Sequence, residues 1–120
     1  MSARVLVADD SSTMRKIILR SLQAVGVSET TEAADGSEAV SLFKPGQFDI
    51  VLTDWNMPGK TGLEVVQEIR AQDANIPIIM VTTEAEKERV MQAIQAGVSD
   101  YLVKPFTADT LREKLEKHGC

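Results

Sequence analysis

Three aspartates and one lysine stand directly after apolar runs, where their side chains could share one site. They are Asp9 and Asp10 after Val5–Ala8, Asp54 after Asp49–Thr53, and Lys104 after Asp100–Val103. The carboxyl ends of parallel strands form the ligand-binding edge of open α/β sheets. Carboxylates brought close together repel one another unless a cation relieves the repulsion. Magnesium prefers a few carboxylates, a carbonyl and water, so the pattern predicts a magnesium-dependent phosphoryl site.

Asp54 is the candidate phosphoryl acceptor, because carboxylates can serve as covalent nucleophiles. The incoming phosphoryl oxygens need neutralising partners, and Lys104 offers a cation while Thr82, after Pro77–Val81, offers a hydroxyl. Asn56, in the turn after Asp54, could add a backbone carbonyl to the metal site. Taken singly, the acids and the threonine could be helix caps, and the lysine could be a solvated surface residue. Five suitable residues at four strand ends favour a common site.

Short apolar runs alternate with amphipathic stretches along the whole chain, which predicts strands alternating with helices. The predicted strands are Val5–Ala8, Glu29–Ala33, Asp49–Thr53, Pro77–Val81 and Asp100–Val103. The predicted helices are Ser12–Val25, Ser37–Phe43, Gly62–Ala71, Ala85–Ala96 and Ala108–Lys117. Continuous Val, Ile and Leu strands with intervening helices indicate a doubly wound parallel sheet. The Thr-rich second strand belongs at an edge and the most apolar strands in the middle, which the order 2-1-3-4-5 satisfies.

Length and composition limit the class of protein. The 120 residues, 43% hydrophobic and 26% charged, predict a single α/β domain over residues 1–120. The net charge of −5 disfavours direct nucleic-acid binding. No apolar stretch approaches the roughly 20 residues of a membrane span, and no signal-peptide pattern occurs at the start. The single cysteine, Cys120, excludes an internal disulfide, so we expect a cytoplasmic protein with no membrane insertion.

These motifs resemble the receiver domains of two-component response regulators, particularly those that act alone in chemotaxis. The resemblance runs from Arg4–Asp10 through Asp54–Gly59 and Val81–Ala85 to Lys104–Phe106. The family has the strand order 2-1-3-4-5, so that order now follows from the resemblance as well. The implied partners are a sensor histidine kinase and a downstream protein such as a flagellar motor switch component. Such a protein is a signalling switch that catalyses only its own phosphorylation and dephosphorylation, with Mg2+ as cofactor.

The resemblance also implies a role for each site residue. Asp54 would be the phosphoacceptor, and magnesium would be bound by Asp9, Asp10, Asp54 and the Asn56 carbonyl. Thr82 and Lys104 would sense the phosphoryl group, and Tyr101 would be an aromatic switch. Asn56 and Glu84 would tune the lifetime of the phosphoryl group. Thr83 departs from the smaller residue of many receivers, and its bulk would also affect phosphoryl access. A cis Lys104–Pro105 peptide is expected as well.

Several residues outside this set have more than one interpretation. Val90 and Ile94 share a helical stripe, and either pack on the sheet or join Tyr101 in an output surface. Trp55 is expected to be a partly exposed loop aromatic, and His118 an exposed histidine without a special role. Met14, Met80 and Met91 fall on predicted core faces.

Two other classes of protein could use similar features. A magnesium-dependent phosphatase would need a general-acid aspartate after Asp54, where Asn56 stands, and a cap domain. A flavodoxin-like protein would need a phosphate-binding loop rich in Ser, Thr and Gly after the first strand. Here that loop begins with Asp9 and Asp10, which would repel a flavin phosphate.

Overall fold

The computed structural model describes residues 3–120, which form five strands alternating with five helices. The strands are β1 Arg4–Ala8, β2 Glu29–Ala33, β3 Ile50–Thr53, β4 Ile78–Thr82 and β5 Asp100–Val103. The helices are α1 Ser12–Ala24, α2 Gly36–Leu42, α3 Gly62–Gln72, α4 Lys87–Ala96 and α5 Ala108–Lys117. The longest helix has 13 residues, and none within residues 3–120 has the length and apolarity needed to cross a membrane.

All five strands are parallel and lie in the order β2-β1-β3-β4-β5. The predicted fold class and strand order are therefore confirmed. The inner strands β1, β3 and β4 are almost wholly buried, whereas β2 carries exposed Glu29 and Glu32 at one edge. This distribution follows from the doubly covered sheet, because only its edge strands can place polar side chains in water.

The core has two layers because alternate side chains of each strand point to opposite faces of the sheet. One layer packs Leu6, Val51 and Ile78 against helices α2, α3 and α4. The other contains Val5 and Ile50 and packs against α1 and α5. Both layers are dominated by fully buried aliphatic side chains, which makes the sheet a firm base for the loops at its carboxyl edge.

Helix α4 begins two residues later than predicted, at Lys87 rather than Ala85. Its N-cap Glu86 makes no side-chain capping bond, unlike Thr61, whose capping box starts α3. Glu84 is instead held outside the helix, where its carboxylate accepts a hydrogen bond from Asn56. The β4–α4 loop is therefore longer than the sequence indicates, and it lies beside the predicted site.

Three exposure predictions were wrong, each for a reason that involves tertiary contacts. Trp55 is only 4% exposed, because it packs into the first core layer under the Arg89 guanidinium. His118 is largely covered, since its ring contacts Asp100. Met91, expected in the core, is 49% exposed on α4, whereas Met80 is buried as predicted. Periodicity alone did not separate the covered from the free side of these short elements.

Candidate functional site

The carboxyl ends of β1 and β3 lie side by side at the centre of the sheet. Ala8 pairs with Thr53 in the parallel register, so Asp9 and Asp54 leave the sheet at equivalent positions. The Asp54 N–H donates to the Ala8 carbonyl at 2.9 Å, which joins the two strand ends. Since β2 lies beyond β1 and β4 beyond β3, this is the point where the strand order reverses. Such switch points form the binding crevice of open α/β sheets.

Three carboxylates meet in this crevice. Asp9, Asp10 and Asp54 each offer an oxygen within 4.8 Å of the others. Asp9 is buried at 1% exposure, and its Oδ1 accepts a hydrogen bond of 2.9 Å from the Ser11 N–H. Asp54 is half-buried, and its Oδ1 accepts from the Trp55 N–H at 2.6 Å. The fold therefore brings together the three acids that the sequence singled out.

Lys104 is the cation of this cluster. Its Nζ lies 2.6 Å from Asp9 Oδ2 and 3.1 Å from Asp54 Oδ2, and its side chain is only 8% exposed. The Lys104 N–H also donates to the Thr82 carbonyl at 2.9 Å, which anchors the residue to β4. The following peptide bond, Lys104–Pro105, is cis as expected. One buried ammonium thus bridges the acids of two different strands.

The donor set fits a hard divalent cation. All three side chains offer oxygen, and oxygens bound to magnesium at about 2.1 Å lie about 3–4 Å apart, comparable with the spacing of this cluster. Three carboxylates with one lysine carry an excess of negative charge. Partly buried charge of one sign is unfavourable unless it is balanced. The residues present therefore match magnesium in both ligand type and charge.

The β4–α4 loop forms one wall of the crevice. Thr82 is fully buried, and its Oγ1 accepts a hydrogen bond from the Glu84 N–H at 3.3 Å. Within residues 3–120 no hydrogen bond joins Thr82 to Asp54. The Glu84 carbonyl accepts from the Tyr101 hydroxyl, and the Glu84 carboxylate accepts from the Asn56 amide at 3.3 Å. Thr82, Glu84 and Tyr101 are thus connected through one short loop, while the neighbouring Thr83 is exposed.

Tyr101 is half-buried and packs partly against the first core layer. Burial, together with the nearby Glu84 carboxylate, raises the pKa of the Tyr101 hydroxyl. The phenol therefore stays protonated at neutral pH and remains a hydrogen-bond donor. Its bond to the β4–α4 loop ties β5 to the wall of the crevice.

Arg89 of α4 contacts Trp55 beside the crevice. The sequence analysis did not single out this arginine. Its guanidinium carbon lies 5.2 Å from the ring centroid of Trp55, a distance typical of a cation–π contact. Trp55 follows Asp54 directly, so α4 touches the residue next to the candidate phosphoacceptor. The sequence contained only a weak indication of this contact, namely an arginine in the first turn of the helix after β4 and a tryptophan in the loop after β3.

Apolar side chains are exposed on α4 and on β5. Ile94 is 60% exposed, Met91 49% and Val103 41%, while Val90 is half-buried. Neither Val90 nor Ile94 is fully covered by the sheet, which leaves them accessible to a partner. These residues lie on the two elements that also carry Arg89 and Tyr101.

Comparison with known proteins places this geometry in a family. Residues 5–116 match the response regulator receiver domain. The chain is 48% identical over 116 residues to chemotaxis protein CheY-3 of Vibrio cholerae, covering 95% of this chain and 89% of that protein. It is 47% identical over 116 residues to chemotaxis protein CheY of Pseudomonas aeruginosa, covering 95% and 94%.

A solved structure shows the same architecture. The chemotaxis protein CheY4 of Vibrio cholerae superposes with a TM-score of 0.88 at 38% identity over 98% of each chain. The chain therefore belongs to the response regulator receiver domain family, as the motifs predicted, and it is similar to chemotaxis receivers over nearly its whole length.

Proposed function

We propose that this protein accepts a phosphoryl group on Asp54 from a phosphohistidine of a sensor kinase, and that this modification switches its binding to a downstream protein. The observation that carries the proposal is the buried Lys104 ammonium reaching both Asp9 and Asp54 in an acidic crevice. The protein would be a signalling switch, and its only catalysis would act on its own phosphoryl group.

In the proposed transfer an Asp54 oxygen attacks phosphorus as the phosphorus–nitrogen bond of the donor breaks, and the leaving imidazole takes up a proton. Asp9, Asp10, Asp54 and the Asn56 carbonyl would hold Mg2+, which neutralises phosphoryl oxygens when bound. The Trp55 N–H keeps the Asp54 carboxylate oriented. Lys104 then forms an ion pair with the transferred group, since a doubly charged phosphoryl competes well for an ammonium.

The switch would use the loop that connects Thr82 with Tyr101. In this structure the Thr82 hydroxyl accepts a hydrogen bond from the Glu84 N–H. When a phosphoryl group is attached to Asp54, the Thr82 hydroxyl would move toward it and donate a hydrogen bond to a phosphoryl oxygen. This movement would shift the β4–α4 loop, whose Glu84 carbonyl accepts a hydrogen bond from the Tyr101 hydroxyl. The ring of Tyr101 would then be free to turn inward. Making a mostly inactive ensemble mostly active takes roughly 5 kcal/mol of differential stabilisation, which a few charge-assisted hydrogen bonds can supply.

We infer a role in chemotaxis signalling in the cytoplasm, with a flagellar motor switch component as the downstream partner. Support comes from the two curated relatives named chemotaxis proteins, which match over 95% of the chain. The output surface would consist of Val90, Ile94 and Tyr101. The acidic crevice itself is small and would be filled by metal and phosphoryl, which leaves α4 and β5 for the partner.

The first test is Asp54→Asn, which keeps the shape of the side chain and removes the nucleophile. We expect complete loss of labelling by a radiolabelled phosphohistidine donor or by acetyl phosphate with magnesium, and an unchanged far-UV circular dichroism spectrum. Asp109→Asn, which removes a largely exposed aspartate of α5, is the control and should still be labelled. Acid-stable labelling of Asp54→Asn on a serine, threonine or histidine would contradict the acyl-phosphate mechanism.

The second test separates output from chemistry. Val90→Asp or Ile94→Asp should weaken binding of the phosphorylated protein to its partner at least about tenfold, since each places a charge in an apolar contact. Labelling of Asp54 should stay nearly unchanged. Ile17→Asp is a matched control, because Ile17 is also exposed, at 43%, but lies on α1. Unchanged partner affinity in both α4 variants would show that the output surface lies elsewhere.

A further inference from the structure

Arg15 occupies an unusual position for an arginine. It lies in the first turn of α1, three residues after the helix begins at Ser12. A cation near a helix N-terminus interacts unfavourably with the helix dipole. The side chain is nevertheless held in place and only 15% exposed. Helix stability alone therefore does not explain it, and the phosphoryl chemistry described above does not use it.

Two contacts hold the Arg15 guanidinium. Nη1 donates to the main-chain carbonyl of Asp9 at 2.6 Å. Nε donates to Glu32 Oε1 at 3.0 Å, and Glu32 lies on the edge strand β2 with 47% side-chain exposure. The arginine thus bridges the end of β1 to the edge of the sheet. The planar guanidinium donates in two fixed directions and so sets the orientation of the Asp9 carbonyl relative to Glu32, which a lysine ammonium would not do.

The bond to the Asp9 carbonyl completes the fixation of that residue. The Asp9 N–H already donates to the Ala33 carbonyl at 3.1 Å. The Asp9 carboxylate accepts from the Ser11 N–H and from Lys104. With Arg15 on the carbonyl, each polar group of Asp9 has a defined partner.

The same carbonyl belongs to the peptide that joins Asp9 to Asp10. Asp10 is exposed, and within residues 3–120 its carboxylate makes no hydrogen bond or ion pair. Nothing at the side chain itself therefore orients it. The preceding peptide fixes the position of the Asp10 Cα and helps to set the direction of its Cα–Cβ bond, and Arg15 holds that peptide.

We propose that Arg15 is a positioning residue for the divalent-cation site, acting through the Asp9 carbonyl to aim Asp10 at the metal. The proposal rests on the magnesium site proposed above. Groups that orient metal ligands typically contribute 10–100-fold to affinity. Simple electrostatics predicts the opposite sign, because a cation near the site repels a second cation, so removing Arg15 would then tighten magnesium binding.

The experiment compares magnesium affinity across four proteins: wild type, Arg15→Gln, Glu32→Gln and the control Arg20→Gln. Arg20 lies on the same helix, is exposed, and makes no hydrogen bond or ion pair within residues 3–120. Magnesium chloride is titrated into each protein and followed by calorimetry and by Trp55 fluorescence. Thermal unfolding in EDTA measures any purely structural loss separately.

We expect Arg15→Gln to raise the magnesium Kd about tenfold or more, with Arg20→Gln equal to wild type and Glu32→Gln between them. The rise in Tm on adding magnesium should be largest for wild type and Arg20→Gln, smaller for Glu32→Gln and smallest for Arg15→Gln. The reason is that stabilisation by a ligand depends on the ratio of its concentration to its Kd. A merely structural arginine would lower the Tm in EDTA and leave the Kd unchanged.

Each other outcome counts against the proposal in a distinct way. If wild type binds magnesium and Arg15→Gln binds equally or more tightly, the positioning role is wrong while the metal site stands. If wild type itself fails to bind millimolar magnesium, the metal site and the positioning role both fail. If Arg15→Gln does not fold, Glu32→Gln decides, and an unchanged Kd there overturns the proposal.

Discussion

Strand β5 has an ionic cluster at each end, and the two clusters have opposite compositions. At the carboxyl end one cation, Lys104, lies among the three acids Asp9, Asp10 and Asp54, and it pairs with two of them. At the amino end the single acid Asp100 contacts three basic side chains, two on α5 and one at its C-cap. Those contacts are Lys114 at 2.8 Å, Lys117 at 3.6 Å and His118 at 3.0 Å.

In the cluster at the amino end, the carboxylate of Asp100 is fully paired with basic side chains. Burial by itself raises the pKa of Asp100, but hydrogen bonds from Lys114, His118 and the Tyr101 N–H outweigh it and lower the pKa to about 2. Basic side chains in the last turn of α5 also interact favourably with the helix dipole. The cluster ties the C-terminus of α5 to β5, which holds the strand that carries Tyr101.

The comparison shows how the same residue types serve two purposes. The cluster at the carboxyl end keeps a surplus of negative charge, which costs stability until a cation binds. The cluster at the amino end satisfies its only acid and contributes stability directly. Removing an acid should therefore have opposite effects on stability at the two ends.

The largest effect is expected at the carboxyl end, for Asp10→Asn. Losing one of three carboxylate ligands should raise the magnesium Kd by at least the roughly 10–100-fold that loss of a ligand-orienting group costs. In EDTA the variant should be as stable as wild type or slightly more stable, since a like charge has been removed. Magnesium titration followed by Trp55 fluorescence gives the Kd, and thermal unfolding gives the stability.

Asn56→Ala serves as the control for Asp10→Asn, because the metal would use only the backbone carbonyl of that residue, which the substitution keeps. Its magnesium Kd should stay close to that of wild type. Unchanged magnesium affinity in Asp10→Asn, or a clear loss of stability in EDTA, would remove the contrast between the two ends of β5.

At the amino end, Asp100→Asn should lower the free energy of unfolding. The fall of the Asp100 pKa from 3.8 to about 2 corresponds to about 2 kcal/mol. Asp109→Asn is the matched control, since Asp109 is 83% exposed and, among residues 3–120, forms an ion pair only with Arg112, at 3.6 Å. Its loss should change stability by less than about 0.5 kcal/mol. Denaturant unfolding at pH 7 measures both variants.

The pH dependence has a definite sign. The folded pKa of Asp100 lies below its unfolded value of 3.8, so the unfolded chain binds the proton more tightly. The contribution of Asp100 is therefore complete above about pH 4 and is lost as the pH falls toward about 2. The stability difference between wild type and Asp100→Asn should shrink over this window. A difference that stays constant from pH 7 to pH 2 would contradict the assignment.

The smallest effect is expected for His118→Gln, which keeps a hydrogen-bond donor near Asp100 and removes a ring that can carry charge. Lys114 still pairs with the same carboxylate, so the loss should stay below about 1 kcal/mol. Thermal unfolding at pH 7 measures it. A loss as large as that of Asp100→Asn would mean that His118, and not Lys114, is the main partner.

Much of the fold and of the candidate site could be predicted, because both depend on short-range patterns. Continuous apolar strands with polar residues directly after them identified the sheet and placed Asp9, Asp10, Asp54, Thr82 and Lys104 at its carboxyl edge. The start of α4 was misplaced because two of the three hydrogen bonds that hold Glu84 outside the helix come from Asn56 and Tyr101, which are distant in sequence.

The sequence by itself determined the order of strands and helices, the acids at the centre of the sheet and the likeness to receiver domains. These features depend on residue type, period and spacing along the chain. Only the tertiary structure decided that Trp55 is buried under Arg89, that Arg15 holds the Asp9 carbonyl, and that His118 joins the Asp100 cluster. The physical reason is that each of these contacts joins side chains from different elements, and their meeting depends on how the helices pack across the sheet.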